Sequence, residues 1–279
     1  MKADYDFRTR FAPSPTGRLH LGHAYSAREV WRFAAEAGGQ VLLRIEDIDT
    51  TRCRPDYITA ILEDLAWLGF DWHQPVRIQS QHFDDYDAVV KNLSERGLTY
   101  RCFRTRAEVL EETSEAHAFV GNALSKEQEE KRMARGDPFA WRLSLAACRD
   151  ALGSSFDELE YTIDANGRRK RSKAKPDLHG DIIIARKDSP SAYHIAATHD
   201  DSLQGITDII RGEDLIDAPH VQTLLQILLG WPQPVYHHHR LLKGQDGKRL
   251  SKREASLSLA ELRADGHTPE SIWARLDQL

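Results

Sequence analysis

Strand and helix signals alternate through the first seventy residues, and this alternation constrains the fold more than any other feature of the chain. Residues 7–11 predict a strand that ends at a pair of prolines, and a helix follows from about residue 20 to residue 36. Residues 40–45 predict a second strand, and residues 55–69 predict a second helix with apolar side chains at the 3.6-residue period. Strands joined through helices pair in parallel, because the crossover returns the chain in the same direction. The sequence therefore predicts the α/β class with a parallel sheet.

Amino-acid composition excludes several other classes of protein. The 279 residues are 41% hydrophobic and 29% charged, which is typical of a globular protein and excludes disorder, collagen and coiled coils. The longest apolar stretches are much shorter than the roughly 18 residues that cross a membrane, and the N-terminus has no apolar signal core. The three cysteines, Cys53, Cys102 and Cys148, form no C-x-x-C pair, which favours a reducing compartment. We therefore expect a cytoplasmic protein without a membrane partner.

The middle of the chain differs from both ends. From about residue 100 to residue 190 the sequence is highly charged and weakly periodic, which predicts an insertion. The earlier pattern then resumes, with a strand predicted at residues 192–198 and a helix at residues 219–229. We therefore predict a Rossmann-like domain that a mixed α+β insertion divides. The predicted parts are residues 1–100 and 191–240 for the two halves of that domain, 101–190 for the insertion, and 241–279 for a loop and a C-terminal helical segment.

The connection between the first strand and the first helix carries the first candidate site. It reads Arg10-Phe-Ala-Pro-Ser-Pro-Thr-Gly17 and then His20-Leu-Gly-His23. A helix N-terminus offers unpaired N–H groups and a partial positive charge, so phosphates bind there, and two imidazoles can add donors. Gly22 lacks a Cβ, which would let an adenine ring lie against the backbone. The alternative for the tetrapeptide alone is that His20 and His23 only cap the helix on the surface.

A basic segment far downstream, Gly247-Lys-Arg-Leu-Ser-Lys252-Arg253, is the second candidate. Flexible cationic side chains in a polar loop can close over a triphosphate, and the alternative is a solvated basic loop. Together, the early His-x-Gly-His and the late basic-Leu-Ser-Lys resemble the paired motifs of the class I aminoacyl-tRNA synthetases. Arg249 and Leu250 stand where that family commonly has the first Lys and the Met of Lys-Met-Ser-Lys-Ser, so a positive charge and an apolar anchor are kept.

Three segments resemble more narrowly the catalytic domain of the glutamyl-tRNA synthetases: residues 10–17, Arg44-Ile-Glu-Asp-Ile-Asp49 and Arg211-Gly-Glu-Asp214. Only 27 residues follow Lys252, fewer than the anticodon-binding region of that family requires. The chain is therefore similar to the glutamyl-Q tRNA(Asp) synthetases, a group of paralogues. This resemblance implies a class I catalytic core, a short C-terminal segment that contacts the tRNA stem, and no anticodon-binding domain.

The same resemblance implies a reaction in two steps. The α-carboxylate of L-glutamate attacks the α-phosphate of ATP, which carries Mg²⁺, to give glutamyl-adenylate and pyrophosphate. A hydroxyl group of the queuosine base in the anticodon of tRNA(Asp) then takes the glutamyl group. The expected partners are L-glutamate, ATP and queuosine-containing tRNA(Asp), and we expect the protein to be a monomer.

The resemblance also implies roles for individual residues. Because activation builds negative charge around the α-phosphate, it assigns catalysis to His20, His23 and Lys252. It assigns ATP binding to Ser14, His20, Gly22, His23, Arg249, Leu250, Ser251 and Lys252. It assigns glutamate binding to Arg10, Ser14, Glu46, Tyr193 and Arg211, with Glu46 on the ammonium group. The alternatives are surface ion pairs of the two arginines with Asp208 or Glu213, and an ordinary half-buried strand position for Tyr193.

Zinc is a separate question, since relatives often hold a structural zinc in the insertion. They place a Cys-x-Cys pair where this chain has Cys102-Phe-Arg104. Only Cys102 and His117 remain as ligands, fewer than the three or four that a tetrahedral site needs. We therefore predict a degenerate site without zinc.

Six of the eight residues from 168 to 175 are basic. Such a run can contact a phosphate backbone or form a solvated loop, and the residue types leave both open. Three other functions also stay open: a truncated glutamyl-tRNA synthetase that charges tRNA 3′ ends, a small nucleotidyltransferase with a His-x-Gly-His helix start, and a silent RNA-binding paralogue. Dependence on free glutamate separates the nucleotidyltransferase from the leading interpretation.

Overall fold

The computed structural model describes residues 6–112, 118–165, 167–186, 191–242 and 257–279. The strands in these ranges are β1 (Arg8–Phe11), β2 (Gln40–Ile45), β3 (His73–Ile78), β4 (Thr99–Cys102), β5 (Ala140–Leu143), β6 (Glu160–Ala165), β7 (Arg168–Lys173), β8 (Ile183–Arg186), β9 (Asp208–Gly212) and β10 (Val235–His239). The helices are α1 (Leu21–Ala37), α2 (Pro55–Trp67), α3 (Phe83–Glu95), α4 (Arg106–Glu112), α5 (Lys126–Ala134), α6 (Leu145–Leu152), α7 (Tyr193–Leu203), α8 (Ala218–Leu229), α9 (Leu259–Ala264) and α10 (Pro269–Asp277).

The first half of the main sheet follows the alternation of the sequence. β1, β2 and β3 pair in parallel in that order, and α1 connects β1 to β2. α1 ends at Gly38, whose φ of +68° lies in the left-handed region that favours glycine. Pro55 is the first residue of α2, where its missing N–H costs no helical hydrogen bond. The predicted α/β class with a parallel sheet is confirmed.

The second half of the main sheet has the order β7-β6-β10-β9, in which β6, β10 and β9 are parallel and β7 is an antiparallel edge strand. β9 lies beside β1, because the Thr207 N–H donates to the Arg8 carbonyl at 2.9 Å and the Arg8 N–H donates to Thr207 Oγ1 at 2.9 Å. The strands therefore follow one another as β3-β2-β1-β9-β10-β6-β7. The carboxyl ends of β1, β9 and β10 meet at one edge.

The predicted insertion is divided between two sheets. β4, β5 and β8 form a separate antiparallel sheet, in which Tyr100 and Cys102 pack with Phe119. β6 and β7 belong instead to the main sheet, although they lie within residues 101–190. β6 pairs with β10, about seventy residues later in the chain, and Tyr161 on β6 packs against Tyr236 on β10. Periodicity within the insertion carries no information about such a distant partner.

The strand predicted at residues 192–198 is wrong, because α7 occupies these residues. Ala196 and Ala197 favour a helix, since an alanine loses no side-chain entropy there. Gly205, just after the helix, has a φ of +63°, which is typical of a helix end. α7 is buried around most of its circumference, so its sequence lacks the polar face that distinguishes a surface helix from a buried strand.

Two large apolar clusters hold the molecule together. One joins α1, α2 and the β1–β2 strands to the C-terminal helices α9 and α10, through Leu259, Leu262, Ile272 and Leu276. The other packs α3, α6, α7 and α8 around the antiparallel sheet, with Leu93, Leu143 and Ile195 fully buried. No helix in the described part of the chain is long and apolar enough to cross a membrane.

Candidate active site

A cavity of about 740 Å³ opens at the carboxyl ends of β1, β9 and β10. Ligands of open parallel sheets bind outside this edge, and the volume lies in the range of small-molecule sites. Eight residues that the sequence assigns to ATP or glutamate line the cavity: Arg10, Ser14, His20, Gly22, His23, Glu46, Tyr193 and Arg211. The other four, Arg249, Leu250, Ser251 and Lys252, lie outside the described residues, so their roles stay predictions.

The two histidines lie at the N-terminus of α1 and cap it. His20 Nδ1 accepts a hydrogen bond from the Gly22 N–H at 3.0 Å, and His23 Nδ1 accepts one from the His20 N–H at 3.2 Å. The ring centroids are 3.9 Å apart. Because each Nδ1 accepts a hydrogen bond, the proton of each neutral ring is on Nε2. Capping and phosphate binding are therefore compatible, since each ring keeps an N–H donor for a second partner.

Burial keeps both imidazoles neutral. Desolvation lowers the pKa of His20 from its ordinary value. The pKa of His23 is lowered to about 3, mainly by desolvation and also by the neighbouring His20 ring. At neutral pH the pair therefore offers hydrogen-bond donors to a phosphate without carrying a full positive charge.

Gly22 is required by the neighbouring histidine. A Cβ on Gly22 would lie 2.9 Å from His20 Cε1, closer than real Cβ atoms come, and 3.1 Å from His20 Nδ1, which is a tight contact. A side chain here would push the His20 ring away from its cap. This contact gives a reason for glycine that does not depend on a nucleotide, and the expected contact of Gly22 with an adenine ring stays a prediction.

A buried ionic cluster forms the floor beneath the carboxyl end of β2. Asp201 Oδ1, on α7, accepts hydrogen bonds from Arg10 Nε at 2.9 Å and from an Arg44 Nη at 2.8 Å. The other Arg44 Nη donates to Glu46 Oε1 at 3.0 Å, and Gln204 Oε1 also accepts from Arg44 at 3.0 Å. The Arg44 side chain is 0% exposed and that of Glu46 is 10% exposed. Glu46 is thus held by Arg44 at the edge of the cavity.

Burial and the arginine charges shift the pKa values of the carboxylates in this cluster in opposite directions. For Asp201, burial raises the pKa, but Arg10 and Arg44 outweigh it and the net pKa is lowered. For Glu46, burial raises the pKa, and the two arginines offset only part of that effect. Neither Oε2 of Glu46 nor Oδ2 of Asp201 accepts a hydrogen bond from a described residue. A bound ammonium group would satisfy Glu46 and favour its charged form.

Arg211 is buried at the end of β9 with one donor left over. Its Nη1 donates to Gln222 Oε1 at 3.1 Å, and its Nε donates to His238 Nε2 at 3.3 Å. Its guanidinium lies over the Tyr236 ring, 5.1 Å from the centroid. Nη2 has no hydrogen-bond partner among the described residues. A buried cation with an unused donor beside a cavity fits a carboxylate ligand.

The surface alternatives for the glutamate residues are wrong. Arg10 and Arg211 are each 5% exposed, and among the described residues neither forms an ion pair with Asp208 or Glu213. Tyr193 is the first residue of α7 rather than a strand residue, and it lines the cavity. Burial raises the pKa of Tyr193, and the nearby Glu46 charge raises it further, so its hydroxyl stays protonated and can donate.

Sequence reasoning missed the residues that hold the site in shape. Asp201, Gln222 and His238 position Arg10, Arg44 and Arg211. Asp201 follows Tyr193 by eight residues, which places both on related faces of a helix, so a helix assignment would have paired them. Asp47 accepts from the Ser80 N–H and hydroxyl, and Asp49 accepts from Thr51 and Arg52. Both make loop contacts.

The region around Cys102, for which the sequence predicts a degenerate zinc site, is held by hydrogen bonds to Asp181 and by contacts of arginines with Phe119. Tyr100 donates to Asp181 Oδ2 at 2.9 Å, the Gly121 N–H donates to the same oxygen at 2.9 Å, and Arg142 lies 4.3 Å from the Phe119 ring centroid. The Arg104 guanidinium also lies over this ring, 5.5 Å from the centroid. Over the described ranges there is no group of three or more His, Cys, Asp or Glu that could hold a metal ion. His117 lies outside these ranges.

Comparisons with known proteins match nearly the whole chain. Residues 6–279 match the family model of the tRNA synthetases class I (E and Q), catalytic domain. The glutamyl-Q tRNA(Asp) synthetase of Rhodobacter capsulatus is 37% identical, over 95% of this chain and 97% of that protein. That of Nocardia farcinica is 36% identical, over 96% of this chain and 82% of that protein.

Glutamate–tRNA ligases are similar over a smaller share of their own length. The glutamate–tRNA ligase of a Synechococcus species is 39% identical, over 94% of this chain and 54% of that protein. The crystal structure of the glutamate-tRNA synthetase from Elizabethkingia anophelis has a TM-score of 0.71 and 28% identity, over 90% of this chain and 53% of that chain.

Proposed function

The chain belongs to the class I tRNA synthetases for glutamate and glutamine and is a ligase of the aminoacyl-tRNA synthetase type; within this family we propose that it transfers glutamate to the queuosine base of tRNA(Asp). Its relatives support glutamate–tRNA ligase-type activity, with glutamate, ATP and tRNA as substrates. The finer substrate, queuosine-containing tRNA(Asp), is the proposal. We also propose that the protein works as a monomer in the cytoplasm.

The observation that carries the proposal is the charge arrangement of the cavity. An acidic side chain, Glu46, and two cationic ones, Arg10 and Arg211, line the cavity together with His20 and His23. A glutamate has one ammonium group and two carboxylates, which require an acidic partner and cationic or hydroxyl donors. The cavity thus offers partners for an amino acid and hydrogen-bond donors for a phosphate.

The first step joins the amino acid to AMP. Glu46 accepts hydrogen bonds from the ammonium group, while Arg211 and the Tyr193 hydroxyl donate to the carboxylates. The α-carboxylate oxygen forms a bond to the α-phosphorus, the bond from that phosphorus to the bridging oxygen breaks, and pyrophosphate leaves with Mg²⁺. Negative charge develops on the α-phosphate, and the Nε2–H groups of His20 and His23 donate to its oxygens. Lys252 adds a positive charge in this proposal.

The second step is an ordinary acyl transfer. A hydroxyl of the queuosine cyclopentene ring attacks the glutamyl carbonyl carbon, the bond to the AMP oxygen breaks, and the proton leaves with the AMP phosphate. No covalent intermediate with the protein is needed. The contribution of the chain is to hold the two reacting groups together and to exclude water from the adenylate.

Similarity favours queuosine over the tRNA 3′ end as the acceptor. The relatives of Rhodobacter capsulatus and Nocardia farcinica that carry the name glutamyl-Q tRNA(Asp) synthetase support this acceptor, and the Synechococcus glutamate–tRNA ligase, at 39% identity, keeps the 3′ end as the alternative that the test must separate. The nucleotidyltransferase alternative gives no role to Glu46 or Arg211. The silent paralogue gives no reason for the neutral, donor-oriented histidine pair.

The test supplies the protein with ATP, Mg²⁺ and labelled glutamate and compares tRNA from cells that make queuosine with tRNA from cells that cannot. We expect acid-precipitable label only on queuosine-containing tRNA(Asp). Equal label on both preparations, carried by tRNA(Glu), would mean 3′ charging. No label on either, with no glutamate-dependent pyrophosphate exchange, would mean a silent paralogue.

A control variant shows whether the activity in that assay belongs to this protein or to a contaminating enzyme. Lys252→Ala should lower the rate of glutamate-dependent ATP–pyrophosphate exchange by roughly 10²- to 10³-fold, the usual cost of one transition-state donor. Its circular dichroism spectrum should match that of the unmodified chain. A normal exchange rate would remove the role assigned to Lys252.

A further inference from the structure

The basic segment 168–175 forms part of an ordered hairpin in the main sheet. Residues 168–173 make up β7, which pairs along its whole length with β6. At the turn, the Gly167 N–H donates to Asp164 Oδ1 at 2.8 Å. The expectation of a solvated loop for residues 168–173 is therefore wrong, and the charges have fixed positions relative to the sheet.

The two faces of β7 differ in how their charges are compensated. On one face, Arg171 pairs with Glu160 at 3.2 Å and Lys173 pairs with Glu158 at 2.7 Å. Arg169, on the same face, lies 3.6 Å from Asp208. On the other face, Arg168 and Lys170 are exposed and form no ion pair with any residue that the structure describes. Alternation along a strand thus separates neutralised from uncompensated positive charge.

The uncompensated face is the face of the main sheet that carries Arg211. Lys170 pairs with Ile163, and Ile163 pairs with Tyr236 in the next strand. The Tyr236 hydroxyl accepts a hydrogen bond from Gln226 of α8, and Arg211 donates to Gln222 of the same helix. Lys170 and Arg211 therefore lie on one side of the sheet.

The register also aligns the hairpin end with the active site. Arg168 on β7 pairs with Ala165 on β6. The preceding residue, Asp164, pairs with His237 on β10, so Ala165 lies level with His238. His238 in turn pairs with Arg211 on β9. Arg168 and Arg211 thus lie in one row across the sheet, three strand spacings or about 14 Å apart. This distance corresponds to roughly four stacked nucleotides of a single strand.

From this placement we propose that Arg168 and Lys170 bind backbone phosphates of the tRNA whose modified nucleotide enters the cavity. The chain has a formal net charge of -5, so general electrostatic attraction cannot hold a tRNA and a local basic surface is required. The inference deepens the proposed function and rests on it for the identity of the RNA. Phosphate contacts of this kind fix position and add no sequence selectivity.

The chain offers a matched pair of variants for the test. Arg168→Ala/Lys170→Ala removes two uncompensated charges, and Arg171→Ala/Lys173→Ala removes two compensated charges from the same strand. Both change the net charge by the same amount. The measurements are the KM for tRNA in glutamyl transfer and the binding of tRNA to filters between 50 and 300 mM salt.

We expect the first variant to raise the KM for tRNA about tenfold near physiological salt. It should also reduce the slope of log affinity against log salt by about 1.4 to 1.8, as expected for two lost phosphate contacts. The second variant should change the KM less than twofold and leave the slope unaltered. Arg168→Lys/Lys170→Arg should restore the KM to within twofold, because it keeps both charges.

Three results would overturn the proposal. The two alanine variants could have equal effects, the first could leave the KM and slope unchanged, or the first could lower glutamate-dependent pyrophosphate exchange measured without tRNA. If the unmodified chain labels tRNA without queuosine, the proposed function fails, and the same variants measured on the tRNA that is labelled still decide the phosphate contact.

Discussion

Two regions of the molecule each bury an aspartate, and the two aspartates differ in their hydrogen-bonded partners and in the direction of their pKa shift. Asp201, beneath the cavity, is 2% exposed and accepts hydrogen bonds from Arg10 and Arg44 at 2.9 and 2.8 Å. Asp64, where α2 meets α9, is 0% exposed and accepts no hydrogen bond from a described residue. Its nearest cation, Arg263, is 3.7 Å away.

The difference shows that burial alone does not fix the state of a carboxylate. Burial raises the pKa of both groups, but two well-placed guanidiniums outweigh it at Asp201 and lower the net pKa. At Asp64, burial raises the pKa to about 6, and Arg263 and Arg18 offset only part of the effect. The charged form of Asp201, near the candidate site, is stabilised by two hydrogen-bonded arginines. The charged form of Asp64, away from the site, has no such partner among the described residues.

The strongest test of this comparison removes the Asp201 charge. Asp201→Asn should lower the free energy of unfolding by about 3–5 kcal/mol at pH 7, because Arg10 and Arg44 would stay buried without their shared counter-ion. Urea unfolding followed by circular dichroism measures the change. The matched control is Asp157→Asn, which removes an exposed partner of Arg149 at 2.6 Å and should cost less than about 1 kcal/mol. Similar costs for both variants would contradict the comparison.

The next test measures whether the ionic cluster contributes to glutamate binding as well as to stability. Glu46→Gln should raise the KM for glutamate in pyrophosphate exchange about 10- to 100-fold, because a charged hydrogen bond to the ammonium group becomes neutral. The KM for ATP should change less than twofold, since the histidines do not contact Glu46. Equal loss for both substrates would indicate a distorted cavity instead of a lost contact.

The comparison also explains what could be predicted from the sequence. Glu46, Arg10 and Arg211 were predicted because the short motifs around them resemble those of the glutamyl-tRNA synthetases. Asp201 was not, because α7 is buried around most of its circumference and its sequence was interpreted as a strand. The hairpin was assigned to the insertion, because its pairing with β10 depends on residues seventy positions away. Local patterns predict elements and motifs, and long-range pairs need the structure.

The third test concerns the weakly paired carboxylate. Because the folded pKa of Asp64 is about 6, above its unfolded value, the folded state binds more protons than the unfolded state between about pH 4 and pH 6. This group therefore makes stability fall as pH rises through that window. Asp64→Asn should raise the free energy of unfolding at pH 7 by about 1–3 kcal/mol and flatten the decrease. Glu63→Gln removes a neighbouring charge that also raises the pKa of Asp64, so it should move the decrease to lower pH without abolishing it.

The smallest expected effect is at the opposite limit, an ion pair that is fully in contact with water. Lys131 and Glu127 on α5 are 2.6 Å apart, shorter than either arginine contact of Asp201, but their side chains are 69% and 78% exposed. If distance set the strength, this pair would be the strongest of the group. Since water screens it and both long side chains lose entropy, a double-mutant cycle with Lys131→Ala and Glu127→Ala should give a coupling of about 0.3–0.5 kcal/mol that vanishes in 1 M salt. A coupling above 2 kcal/mol would mean that the short distance, and not removal from water, determines how strongly an ion pair stabilises this protein.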